Sequence, residues 1–461
     1  MEKSCNFAYK TLEKSCNFAY KTLGKSCNIM LKRKIINKLN DWYNNPNKKA
    51  LLLKGARQVG KTTTIREFAK SHYKNFIEIN FEQTPLTKEA FAGNLDAKSI
   101  ILNLSSMGYG PFEKDKTLIF LDEIQSCPQA RTAIKFLVED GNFDYIESGS
   151  LLGINYKDVS SYPVGYEQHE DMYPLDFEEF LWACGINDEI IDVLRNSYEN
   201  ISSVPELIHK QIMERFRQYL IIGGMPEVVN TFVSTKDINQ TKQIQANIIS
   251  SYRDDIAKYA GKEKHLAKKV FDSIPEQLCK KDKRFVLSDL EKGASQRKYG
   301  DATEWLVDAG IAYFSFNTCA FELPFSFYEK RNLYKLFMHD VGLLSHISFS
   351  NLLFNILQGD ISINEGALTE NFVATELKKK GRDLNYYDKK SKHELDFIFA
   401  ENDKISIIEV KSGNNYKSHA SLNMATRDFN DRINRAIVLS KFNVEKQDDI
   451  IYYPLYMAMF L

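Results

Sequence analysis

The octapeptide Gly55-Ala56-Arg57-Gln58-Val59-Gly60-Lys61-Thr62 constrains the fold more than any other stretch of this chain. It matches G-x-x-x-x-G-K-[ST], and it stands directly after the apolar run at 51–53 and directly before the helical run TTTIREFAK. A glycine-rich turn between a strand and a helix lets successive backbone N–H groups point at phosphate oxygens, while the helix adds its N-terminal dipole. Gly55 through Thr63 are therefore the expected phosphate-binding residues, with Lys61 bridging the β- and γ-phosphates of ATP and the Thr62 hydroxyl on Mg²⁺.

A second element fits the first. Leu118–Leu121 reads as a buried strand and ends in Asp122-Glu123. Asp122 is expected to hold the magnesium ion through its water shell, and Glu123 to orient and polarise the attacking water. The competing reading has both acids capping the following helix. A further strand runs into Ser148-Gly149-Ser150, where Ser148 or Ser150 would sense the γ-phosphate. Among Arg131, Arg217 and Arg253, the last, in SYRDDIAKY, is the first choice for an arginine that completes the site.

Length allows two to four domains in 461 residues. Lys+Arg and Asp+Glu are both 61, so net charge gives no signal for nucleic acid or for an acidic membrane surface. The seven cysteines include no CxxC pair, which argues against a disulfide framework and a structural zinc site and fits reduced thiols in a cytoplasm. No apolar run approaches the roughly 18–20 residues that span a bilayer, so the sequence reading is a protein without a membrane partner.

Along the chain, EKSCNFAYKTL occupies Glu2–Leu12, returns unchanged at Glu13–Leu23 and begins again at Gly24. An unvarying period is expected of a translated tandem DNA repeat upstream of a start at Met30, so 1–29 is read as a non-functional tail. Strands at Leu51–Lys54, Phe76–Asn80, Leu118–Leu121 and Tyr145–Ser148 alternate with helical stretches, the pattern of a parallel sheet built from βαβ units. The expected divisions are an ATPase domain at 30–205, a helical lid or linker at 206–262, a winged-helix-like module at 263–330 ending in a β-ribbon, and a second α/β domain at 331–461.

Taken in order, GARQVGKT, LIFLDEIQ, ESGSLLG, YPLDFEEFL, IGGMPEVV, YRDDIAK, LYKLFMHDVGLL and GALTENFVATEL resemble a prokaryotic AAA-type ATPase family with a C-terminal domain of unknown function, the 4143 family. The resemblance runs from Met30 to the C-terminus. It implies an α/β P-loop NTPase core of AAA type, then a winged helix and a restriction-endonuclease-like domain. Gly165-Tyr166 lacks an arginine that many relatives carry after the glycine.

The terminal domain contains a D…ExK pattern: Asp396 in ELDFIF, and Glu409 and Lys411 at the end of KISIIEVK. If those runs pair as adjacent strands, the two carboxylates can hold a magnesium ion and Lys411 can stabilise the attacking water. Glu370, on the preceding helix, is the candidate third acid. His339 and His393 have no spacing partners and are assigned nothing. Three functions stay open: an ATPase that drives the winged-helix and nuclease-like module on DNA, a non-catalytic ATP switch whose C-terminal fold is a platform for an unknown protein partner, and a metal-dependent nuclease gated by ATP. AAA-type sites often borrow an arginine from a neighbouring subunit, which keeps a homo-oligomer open.

Overall fold

The structure, a computed structural model, describes residues 30–149, 163–349, 356–357, 365–389 and 393–461. The repeated tail and Ser150 lie outside them.

Five strands form an all-parallel sheet in the order β2-β3-β4-β1-β5: β1 Ala50–Lys54, β2 Asn75–Asn80, β3 Thr117–Asp122, β4 Asp144–Gly149 and β5 Glu167–Asp171. Leu51 and Leu53 enter one apolar cluster, while Ala50 and Leu52 enter another on the opposite face. Burial on both faces explains why the sequence shows continuous apolar runs here instead of alternation. The four strands read from sequence all occur. The fifth, EQHED, has no apolar pattern, because it is an edge strand added to β1 through backbone pairing.

Three helices follow, Glu206–Ile222, Pro226–Thr235 and Ile238–Tyr259. The break at Gly223-Gly224 has a steric cause. Gly223 lies at φ +73°, and a Cβ on Gly224 would stand 2.0 Å from the Leu175 carbonyl oxygen. This tight crossing lets Leu175 N–H donate to Gly224 O (2.7 Å) and Gly224 N–H donate to Asp340 Oδ2 (2.6 Å).

Eight further strands form a mixed sheet in the order β12-β13-β11-β10-β9-β8-β6-β7. They are β6 Ala312–Thr318, β7 Glu329–Met338, β8 Asn385–Asp388, β9 Glu394–Glu401, β10 Lys404–Lys411, β11 Ile433–Ser440, β12 Glu445–Gln447 and β13 Ile450–Pro454. The ribbon expected to end a module at 330 is β6 and β7, and β6 pairs in parallel with β8. The border drawn at 330/331 thus runs inside β7, because the exposed hydrogen-bonding edge of β6 is satisfied by a strand more than sixty residues downstream.

One apolar cluster runs through most of the chain, from Leu39 through Phe216 and Phe372 to Tyr456. Phe372 meets Phe216 at a ring-centroid separation of 4.9 Å, Tyr219 at 5.9 Å and Phe177 at 6.0 Å. Each such pair contributes about 0.5–1.5 kcal/mol beyond simple burial. The first sheet's helices and the C-terminal region therefore share a core. Among the described residues, no helix is long and apolar enough to cross a membrane.

Candidate nucleotide site

Gly55, Gln58 and Gly60 lie at φ +153°, +65° and +98°, so the loop curls through conformations that side-chain-bearing residues avoid. A Cβ on Gly55 would meet the Met172 carbonyl oxygen at 2.2 Å. The helix Lys61–His72 begins at Gly60, with Lys61 and Thr62 in its first turn and Thr63 exposed.

Side chains hold the loop's carbonyls from several directions. Lys61 Nζ donates to Gly55 O (2.8 Å) and Ala56 O (2.9 Å). Tyr252 donates to Arg57 O at 3.0 Å, and the buried Arg33 donates to Val59 O at 3.0 Å, to Tyr173 O and to Glu179. The Arg57 guanidinium binds Asp255. A cavity of about 300 Å³ lies beside the start of the loop, lined by Lys54, Gly55, Ala56, Gly149, Asp171 and Gly310 among others. This is the carboxyl end of β1, β4 and β5, where open α/β sheets bind ligands.

Asp122 collects three side-chain donors, beside the Glu123 backbone N–H at 3.2 Å from Oδ1. Thr62 Oγ1 lies 3.1 Å from its Oδ2, Asn80 Nδ2 3.0 Å from the same oxygen, and Ser148 donates to Oδ1. Burial raises the Asp122 carboxyl above its ordinary range, and these hydrogen bonds pull it back. The arrangement fits a hydrated Mg²⁺, with Thr62 and Asp122 as the residues that would hold it. When bound, that ion would neutralise charge on the phosphates. Glu123 follows with its backbone at φ +53°, and Gln125 Nε2 donates to its carboxylate. Neither acid caps the next helix through its side chain: the turn Ile124–Ser126 has no side-chain cap, and helix Pro128–Asp140 starts at Cys127.

Burial pushes the Lys61 ammonium down to about 8, against the pull of Glu123 and Asp122. A phosphate binds the protonated form, so ATP affinity should be flat below about pH 8 and fall above it by up to about tenfold per pH unit, one proton being taken up on binding. Nucleotide titrations from neutral pH to the mid-nines check this. Affinity constant across that range would contradict it.

Arg253 pairs with Asp272 at 2.8 Å on an exposed helix face, while its neighbour Asp255 reaches Arg57. Arg131 is buried between Glu147 (3.0 Å) and Glu167 (2.8 Å). His339, given no role from sequence, is part of a buried chain. Its Nδ1 faces Ile311 O at 3.1 Å and its Nε2 faces Tyr252 Oη at 3.1 Å. Burial pushes this imidazole down to about 3, so it is neutral, and the carbonyl at Nδ1 requires the proton there. Nε2 and Arg57 O then compete for the single Tyr252 hydroxyl proton. Asn80, Arg33, Tyr252 and Asp255 escaped sequence reading; of these only Asn80, at the end of the run FIEIN, stands where a strand-end polar residue signals a site.

On the second sheet, Val410 N–H donates to Asp396 Oδ2 (2.8 Å), and Lys411 Nζ lies 2.7 Å from Glu409 Oε1. β9 and β10 pair antiparallel as far as Phe397 and Ile408, one residue short of Asp396 and Glu409. Glu370 is engaged by lysines instead of joining a third-ligand position, with Lys283 at 2.5 Å and Lys335 at 3.6 Å.

An uncharacterized protein of Methanocaldococcus jannaschii is 24% identical over 444 residues, 92% of this chain and 90% of the relative. An uncharacterized protein of Haemophilus influenzae is 24% identical over 306 residues, 65% of this chain and 67% of the relative. Among solved structures, the Walker-type ATPase of Pyrococcus abyssi aligns with a TM-score of 0.45 at 15% identity, over 69% of this chain and 96% of that one. The RuvB Holliday junction branch migration motor of Thermotoga maritima aligns with a TM-score of 0.28 at 14% identity, over 64% and 91%. Residues 213–352 and 365–457 match two family models described as domains of unknown function, DUF8612 and DUF4143. Residues 47–181, which carry the loop, Asp122 and Glu123, match the model described as AAA domain, and this stretch is a P-loop domain of AAA type.

Proposed function

We propose that the chain binds ATP with Mg²⁺ at the P-loop and hydrolyses it, with Lys61 as the phosphate-binding cation, Thr62 and Asp122 holding the metal, and Glu123 as the base that takes a proton from the attacking water. The observation that carries this reading is the convergence of Thr62, Asn80 and Ser148 on the Asp122 carboxylate, one residue before a second acid, Glu123. Ser148 acts here as an Asp122 partner, in place of the direct γ-phosphate sensor expected from sequence. Arg57 and Tyr252 carry the state of the loop to the C-terminal region, because the Tyr252 proton can serve either Arg57 O or His339.

A non-catalytic switch is the second reading. It is favoured by the Gln125 hydrogen bond, which engages the Glu123 carboxylate within the chain itself. Phosphate release measured beside nucleotide affinity separates the two: turnover supports the ATPase, and tight binding without turnover supports the switch. DNA remains the proposed partner of the coupled module, together with an unidentified protein and a second copy of the chain. Turnover that DNA leaves unchanged counts against DNA as the target.

A further inference from the structure

We infer that Lys335 is the resident cation of the carboxylate cluster on the second sheet, so that this module holds its acids together without a divalent metal ion. The inference does not depend on the ATP reading. Lys335 sits on β7 opposite Ser315 and is fully buried. Its Nζ lies 2.8 Å from Glu394, 3.6 Å from Glu370 and 4.0 Å from Asp396. Three further contacts join the network: Lys283 on Glu370 Oε1, Lys411 on Glu409 Oε1 and the Val410 amide on Asp396 Oδ2, while Glu370 Oε2 and Glu409 Oε2 are buried without a hydrogen bond and face the cluster's ammonium groups through charge alone.

A divalent cation needs several oxygens converging at about 2.0–2.6 Å. An ammonium surrounded by carboxylates at 2.8 to 4.0 Å takes up that shared space with one positive charge. Among the described residues, no group of three or more His, Cys, Asp or Glu side chains is placed to hold a metal ion. The ligand set Glu370, Asp396 and Glu409 anticipated from the D…ExK pattern is thus replaced by an internal salt-bridge network.

Four carboxylates (Glu370, Glu394, Asp396, Glu409) face three ammonium groups (Lys283, Lys335, Lys411), so the formal charges of the cluster nearly cancel among its own side chains. Burial alone would lower Lys335, but Glu370, Glu394 and Asp396 more than offset it and keep the ammonium charged. A buried lysine in LYKLFM, the apolar second half of β7, is costly unless its charge is used in this way.

The test uses the full chain without nucleotide, carrying Asp122→Asn to remove the metal-binding carboxylate of the ATP site. Adding Mn²⁺ is expected to leave its thermal midpoint unchanged. A midpoint that rises by several degrees with Mn²⁺, and no longer does so once Asp396→Asn is added, overturns the inference. A second arm needs no metal: Lys335→Met keeps length and removes charge, and should lower the midpoint by several degrees, while combining it with Glu370→Gln should recover part of the loss. Losses that simply add show that Lys335 serves packing alone and overturn the inference equally.

Discussion

Replacing Lys61 by alanine should lower ATP affinity by about a hundredfold or more, since charge-assisted hydrogen bonds contribute about 1.5–3 kcal/mol each and the variant loses the cation able to make them to the phosphates. The fold argues that this lysine serves binding. Burial holds its folded-state pKa at about 8, below the ordinary lysine value, so the folded chain binds fewer protons than the unfolded chain between about pH 8 and 10. By linkage, stability rises with pH across that window, and at neutral pH the charged side chain costs stability. Lys61→Ala should therefore lose nucleotide without melting earlier by more than a few degrees. Calorimetric titration at pH 7 beside a thermal scan reads both quantities. Unchanged affinity would remove the P-loop assignment, and a collapsed melting temperature would show that Lys61 holds the loop for the sake of the fold.

Much of this site was legible because phosphate binding demands particular residues at particular spacings. The turn needs Gly55 and Gly60 for their backbone angles, and the acids must follow an apolar strand. What sequence could not show was which distant groups support them. Arg33 grips Val59 O across 26 positions and Tyr252 grips Arg57 O across 195, distances over which no local pattern operates. Arg253 and Asp255 show what motif spacing alone leaves open. On one helix Arg253 and Asp255 point to different partners, so the acid reaches the loop and the arginine reaches Asp272. β5 was invisible because an edge strand bonded through its backbone needs no apolar alternation. The winged-helix border failed for a related reason, since the β6 edge is completed by β8.

The loop is held from outside as well as by its own fold. Arg33 ties Val59 to Glu179, whose helix carries Phe177 against Phe372 of the C-terminal region. Tyr252 ties Arg57 to His339, next to Asp340, which accepts from Gly224 N–H at the crossing under the first sheet. A change in the loop's carbonyls must be absorbed by these side chains, and packed interiors respond by switching between discrete arrangements. The two close backbone contacts at Gly224 and Gly342, where a Cβ would lie 2.0 Å from Leu175 O and 2.4 Å from Ile222 O, leave little slack for gradual motion.

Glu123→Gln should retain ATP affinity while slowing phosphate release by about two to four orders of magnitude, the scale of a positioned general base. The substitution preserves size and removes basicity. The backbone supports the assignment, because Glu123 occupies the left-handed region at φ +53°, which costs a residue with a side chain about 1–2 kcal/mol. Glycine or asparagine would relieve that strain, yet a glutamate stands there, directly after the carboxylate that Thr62, Asn80 and Ser148 converge on. A capping role would repay the strain with a hydrogen bond to the following turn, and Ile124–Ser126 has none from a side chain. Single-turnover measurements separate the outcomes, since they report the chemical step apart from product release. Turnover equal to wild type would return Glu123 to a structural part and leave the P-loop as a binding device, whereas slow turnover with intact affinity places the proton transfer on this carboxylate.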